Sequence, residues 1–176
     1  MAFNLFNNTV VSDEVIKPIL KKVFSLAKLK GSVIFVIARG KRGGGTATRC
    51  DLVKNRSLYR TKALKKNKKD VWIRTKKGMI EVNFSYHSKS DPMDVARNFC
   101  RLSLHEAGHV IDYQKGEDRD WSRKGRGGRR PEWATRPEEV RANWFERENI
   151  DKIPENLIID LAIEIEEKFF SKSGAG

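Results

Sequence analysis

Residues 91–116 read DPMDVARNFCRLSLHEAGHVIDYQKG, and the fold turns on this stretch. Asp91 is a capping side chain, Pro92 suits a first helical position, and Asp94 puts an acid in the first turn. Gly116 is a stop signal. The spacing predicts one helix from Pro92 to about Tyr113 or Gln114. Inside it lies His105-Glu106-Ala107-Gly108-His109, which takes two of the three histidines in the chain. Residues four apart share a helix face, roughly 6 Å apart along the axis. Two imidazoles so placed can reach one metal ion. Glu106 then stands beside the metal rather than on it, where it can take a proton from a metal-activated water. The plainer reading is two histidines on a solvated helix face.

A metal site of this kind needs a third protein ligand and an open fourth position. Upstream, His87 ends a strand pattern. Downstream, Arg136-Pro137-Glu138-Glu139 opens another helix and offers Glu138 and Glu139. Val140, Trp144 and Phe145 are its expected packing positions. Ile153-Pro154 separates it from a last helix, Glu155 to Phe170, with Leu157, Ile158, Leu161, Ile165 and Phe169 on the apolar side.

Upstream of the histidine helix, Ser12 can cap a helix from about Asp13 to Leu29, with Pro18 inside its first two turns. Residues 32–38, SVIFVIA, read as a buried strand. Asp70–Thr75 and Met79–His87 read as a hairpin around Lys76-Lys77-Gly78. In its second arm Ile80, Val82, Phe84 and Tyr86 alternate with polar residues, so one face is buried. The GKRGGG run at 40–45 reads as a turn or loop. It begins a basic insertion, 40–70, in which eleven lysines and arginines face only Asp51 and Asp70. Residues 115–136 form a Gly/Arg-rich loop containing Trp121 and Trp133.

The chain has 176 residues and 20.2 kDa, which predicts a single domain over 1–170 with a flexible tail at 171–176. The formal charge is +13, nine of it in the basic insertion. Such a balance favours polyanions. Nucleic acid is therefore a candidate partner, through 41–69 and 119–136, against the simpler reading of solvated surface. No apolar run is long enough to span a membrane, and the first residues lack a secretory layout. Two cysteines, Cys50 and Cys100, exclude a disulfide scaffold and any four-cysteine zinc site. A cytoplasmic protein is expected.

From about residue 70 to 148 the chain resembles the zincin metallopeptidases, and among them the glutamate-liganded gluzincins. In these an HExxH helix is completed by a glutamate from a following helix. The chain is similar to small phage and mobile-element peptidases with an Arg-Pro-x-Glu-x-x-Ala element, here Arg136 to Ala142, followed by Asn143-Trp144-Phe145. The resemblance implies Glu139 rather than Glu138 as the third ligand, with Asn143 a polar residue one turn later. It implies an α+β fold: a compact zincin-like core with an N-terminal helix, a small mixed or antiparallel sheet, the histidine helix, the glutamate helix and a C-terminal helix. It implies that an edge strand above the histidine helix binds an extended protein or peptide substrate, and Met79–His87 is the natural candidate.

The implied activity is a zinc-dependent endopeptidase. One zinc on His105, His109 and Glu139 polarises the scissile carbonyl, and Glu106 is the general base. Tyr113, Tyr86, His87 or an arginine of 119–136 is left to stabilise the oxyanion. Asp112 is either a support for a ligand imidazole or a solvated last-turn acid. The alternatives are a nucleic-acid-binding protein on the same scaffold, with structural or vestigial zinc, and a phage structural or regulatory protein without activity.

Overall fold

The computed structural model describes residues 3–39, 44–48, 78–84, 90–116 and 136–170. The fold is α+β. In chain order it runs β1 (Phe3–Asn7), α1 (Asp13–Leu26), β2 (Val33–Arg39), β3 (Gly44–Thr48), β4 (Met79–Phe84), α2 (Pro92–Lys115), α3 (Pro137–Asn149) and α4 (Glu155–Ile165). A short 3-10 turn, Ile150–Lys152, joins α3 to α4, and Glu166–Phe170 widens into a π-turn. The last helix thus runs Glu155–Phe170 as its apolar spacing predicts, with its final five residues in π rather than α form.

The sheet has the order β1-β2-β4-β3. β1 and β4 flank β2 in parallel, and β3 lies antiparallel to β4. β2 is the predicted buried strand. Val33, Ile34, Phe35, Val36 and Ile37 are all fully buried, which explains an apolar run without alternation. In β4, Ile80, Val82 and Phe84 are buried and Glu81 and Asn83 half-buried, as their alternation requires.

Both edges of β4 are occupied, by β2 over Met79–Phe84 and by β3 over Met79–Asn83. One expectation falls with that: over Met79–Phe84 the predicted Met79–His87 strand is not an edge strand. Among the described residues the edges are β1 and β3, and β3 lies inside the segment read as a turn and a basic insertion. The first arm of the predicted hairpin, Asp70–Thr75, lies outside the described residues. Residues 70–77 and 85–89, with Tyr86 and His87, lie outside the described residues, as do 49–69 and the 117–135 part of the Gly/Arg-rich loop.

α2 forms as its sequence dictates. The Asp91 side chain accepts from the Met93 N–H at 2.7 Å, Pro92 starts the helix, and Gly116 ends it at φ 77°. Its apolar face, including Phe99, Cys100, Leu104 and Val110, packs into the main core. Phe99 stacks on Phe84 of β4 with centroids 4.6 Å apart, which docks the helix onto the sheet. Cys100 is a buried free thiol pushed up to about 12 by burial.

At α1 the start is capped differently from the expectation. Ser12 makes no cap to its own helix. Its N–H and hydroxyl instead donate to Glu164 of α4, at 2.7 and 2.8 Å. A carboxylate from another helix thus satisfies the positive end of α1.

α3 also corrects the sequence. Val140 and Trp144 are 52% and 64% exposed, and Phe145 is half-buried. The buried stripe is Glu139, Ala142, Glu146 and Asn149. Helical spacing is obeyed, but the inward face is mostly polar because it faces a polar site on α2.

The two helices run antiparallel and meet at Gly108. A Cβ there would stand 2.9 Å from the Ala142 Cα and 3.3 Å from its Cβ. The obstructing atom is backbone, so it cannot swing aside. A glycine-to-alanine change in a helix interior ordinarily gains about 1 kcal/mol. Gly108→Ala is expected to destabilise instead, by about 1–3 kcal/mol in denaturant unfolding, as overpacking does. A stabilised variant would show that the helices do not touch here.

Candidate metal centre

His105 and His109 stand one turn apart on α2 and turn their Nε2 atoms toward each other, 3.2 Å apart. The rings meet edge to face, 82° between planes. The Glu139 carboxylate closes the triangle from α3, with Oε2 3.3 Å from His105 Nε2 and Oε1 3.6 Å from His109 Nε2. One ligand atom from each residue fits within 4.8 Å of the others, so this group could hold a metal ion. Glu139 is the glutamate that joins the pair. Glu138 does not, although its charge is close enough to raise Glu139.

Glu139 arrives there because α3 is held to α2 on both sides of the Gly108 contact. Asp112 Oδ2 accepts from Arg141 Nε at 2.9 Å, and the Arg141 Nη2 completes the ion pair at 2.8 Å. Glu146 accepts from Arg101 Nε at 2.7 Å. Asp112 is only 4% exposed, so it is not a solvated last-turn acid; its partner is Arg141 on the glutamate helix. Glu146 is a buried site neighbour that sequence reasoning missed. Its seven-residue spacing from Glu139 puts it on the same face, and that spacing was the available signal. Asn143, the expected polar residue, is half-buried.

Glu106 is buried beside the triad but is not in it. Edge strand β3 passes directly over it. A Cβ on Gly45 would lie 2.5 Å from Glu106 Cγ and 2.6 Å from Oε1, so any side chain there would displace the Glu106 carboxylate. The Ala47 N–H donates to the Glu106 carboxylate. The Ala47 carbonyl accepts the Tyr113 hydroxyl proton at 3.1 Å. Both peptide groups of Ala47 are thereby engaged by α2. The Tyr113 hydroxyl, one of the candidate groups for the oxyanion, donates to the strand.

The protonation states suit a ligand set. Burial, with the charges of His105 and Arg141, lowers His109 to about 4, so its ring stays neutral at ordinary pH. Neutral imidazole is the form that binds a metal. Burial and then the Glu139 charge push Glu106 up to about 8, against the Ala47 N–H. Burial also raises Glu139, opposed by His105. Two buried acids that resist ionising together are the electrostatic complement of a cation.

No protein-family model, curated protein or solved structure matches the chain. Among the described residues no helix is long and apolar enough to cross a membrane.

Glu106 and His109 imply a pH-dependent stability of the metal-free protein, with Glu139 acting in the same direction as Glu106. Glu106 holds its proton more tightly folded than unfolded, so its contribution falls as pH rises from 4.5 toward 8. His109 binds its proton less tightly folded, so its contribution rises with pH between 4 and 6.5. The two oppose each other below 6.5. Above it the Glu106 slope stands clear of His109, and stability should fall by up to about 2 kcal/mol between pH 6.5 and 8. Chemical denaturation across that window checks it. Glu106→Gln should flatten the slope, and an unchanged slope would mean Glu106 is not the group responsible.

Proposed function

We propose that the chain is a zinc-dependent metallopeptidase of gluzincin type, acting as an endopeptidase. The observation that carries the proposal is the separation of roles around one point. Two imidazole nitrogens and one buried carboxylate converge, while a second carboxylate is held beside them and kept out of the set. Two histidines and a glutamate with an open fourth position is the donor set of catalytic zinc. A zinc ion there supplies Lewis acidity, polarising the scissile carbonyl and making water nucleophilic at neutral pH.

The remaining steps belong to the chain's own groups. Glu106 accepts the proton of the attacking water and delivers it to the leaving amine. Its raised affinity for a proton suits that exchange, and a divalent cation opposes the Glu139 charge that helps to raise it. The Ala47 N–H aims the carboxylate. Edge strand β3, rather than the expected Met79–His87, is the strand an extended peptide would follow, outside the Ala47 peptide groups already bonded to Glu106 and Tyr113. Gly45 keeps that strand close to Glu106, so Gly45→Ala should lower turnover while leaving the three ligands in place.

Cleavage of an unfolded protein such as casein, with and without a chelator, tests the assignment. Glu106→Gln should bind zinc as the parent does and lose at least about 100-fold in rate, the contribution of a positioned general base. Retained hydrolysis by that variant would remove Glu106 from its role.

The second reading, nucleic-acid binding on this scaffold, is favoured by the +13 charge alone. Steeply salt-dependent DNA binding without chelator-sensitive proteolysis would select it.

A further inference from the structure

Only one nitrogen of each ligand imidazole points into the triad. His105 turns Nε2 toward His109 and Glu139, so its Nδ1 points away from the cluster. The group found there is Glu146, whose Oε2 lies 3.8 Å from His105 Nδ1. Its other oxygen, Oε1, accepts from Arg101 Nε at 2.7 Å. The Glu146 side chain is only 11% exposed, and Arg101 and His105 lie one turn apart on the same face of α2. Glu146 is thus pinned by one residue of α2 with its second oxygen turned toward the next.

Resting on the metal-centre reading above, we infer that Glu146 is the positioning residue for His105. A neutral imidazole that presents a bare Nε2 must carry its proton on Nδ1. A carboxylate oxygen beside Nδ1 favours that tautomer and limits rotation of the ring. Arg101 acts one step further out, since it fixes which Glu146 oxygen faces the ring. The role does not fall to Asn143, one turn after Glu139, where the resemblance puts a polar residue. It falls two turns after Glu139, on a residue shared with an arginine of the histidine helix.

Glu146→Gln tests this with little change of shape. Arg101 Nε is a donor and requires the amide oxygen at the Oε1 position. The NH2 group then faces His105 Nδ1 and favours the opposite tautomer, with the proton on Nε2. Two measurements follow. In a metal-free Glu139→Ala background, where the carboxylate 3.3 Å from Nε2 no longer competes for the proton, long-range nitrogen–proton NMR of the imidazoles should show His105 with its proton on Nδ1, and a shift toward the Nε2-protonated form when Glu146→Gln is added. In a competition titration with a zinc chelator, Glu146→Gln alone should bind zinc about 10–100-fold more weakly, as for losses of such outer partners. Arg101→Ala should weaken zinc in the same direction by a smaller factor.

A purely structural role would lower the thermal midpoint of the metal-free variant and leave both the tautomer and the zinc Kd unchanged. That result overturns the inference while leaving the metal centre intact. A parent protein that takes up no zinc overturns the metal-centre reading itself, and this inference with it.

Discussion

The tight contact between the two site helices at Gly108 and Ala142, where no Cβ fits, is the constraint on which the rest depends. Glu139 sits three residues before Ala142, and His105 and His109 flank Gly108 on the facing helix. The separation of the helices therefore sets the separation of the ligands. A bulkier residue at 108 would push α3 outward and take the carboxylate from the imidazoles. The Arg101–Glu146 and Arg141–Asp112 pairs fix the rotation of α3 about that contact, since they lie to either side of it. Exposed ion pairs are worth little, but here the carboxylates are buried, and losing either arginine would leave an acid uncompensated.

A second constraint comes from the sheet. β3 is short and rich in glycine, and its pairing with β4 leaves its other edge facing α2. Ala47 takes up that edge by donating to Glu106 and accepting from Tyr113. The strand and the helix thus hold each other, and Glu106 is trapped between them outside the His105–His109–Glu139 triad. Burial there makes its charge costly. In the proposed peptidase the same burial would serve proton exchange, because a carboxyl that titrates near neutrality both takes and gives a proton readily.

What was legible in the sequence was whatever is written in local signals. Asp91, Pro92 and Gly116 set the bounds of α2, and the unbroken apolar run marked β2 as buried. The four-residue spacing of the histidines placed both nitrogens on one face. Glu139 over Glu138 was not decided by spacing; resemblance preferred it, and the geometry agrees. The misses have physical causes. β1 is five residues long, half-buried throughout, and made by parallel pairing to a distant strand. β3 carries no hydrophobic pattern, because backbone pairing and the absence of side chains make it work. On α3 the apolar residues Val140 and Trp144 drew attention to the outer face, while the inner face is built from charge. Glu164 at Ser12 and Arg141 at Asp112 are tertiary partners, which no local window contains.

The measurement that bears most directly on the central claim is the zinc stoichiometry and affinity of three proteins: the parent, Glu139→Ala and Glu138→Ala. One tightly held zinc per chain in the parent and in Glu138→Ala, with binding lost in Glu139→Ala, is the expected result. Equal affinity in Glu139→Ala and the parent would show that the two imidazoles and this carboxylate do not form a metal centre.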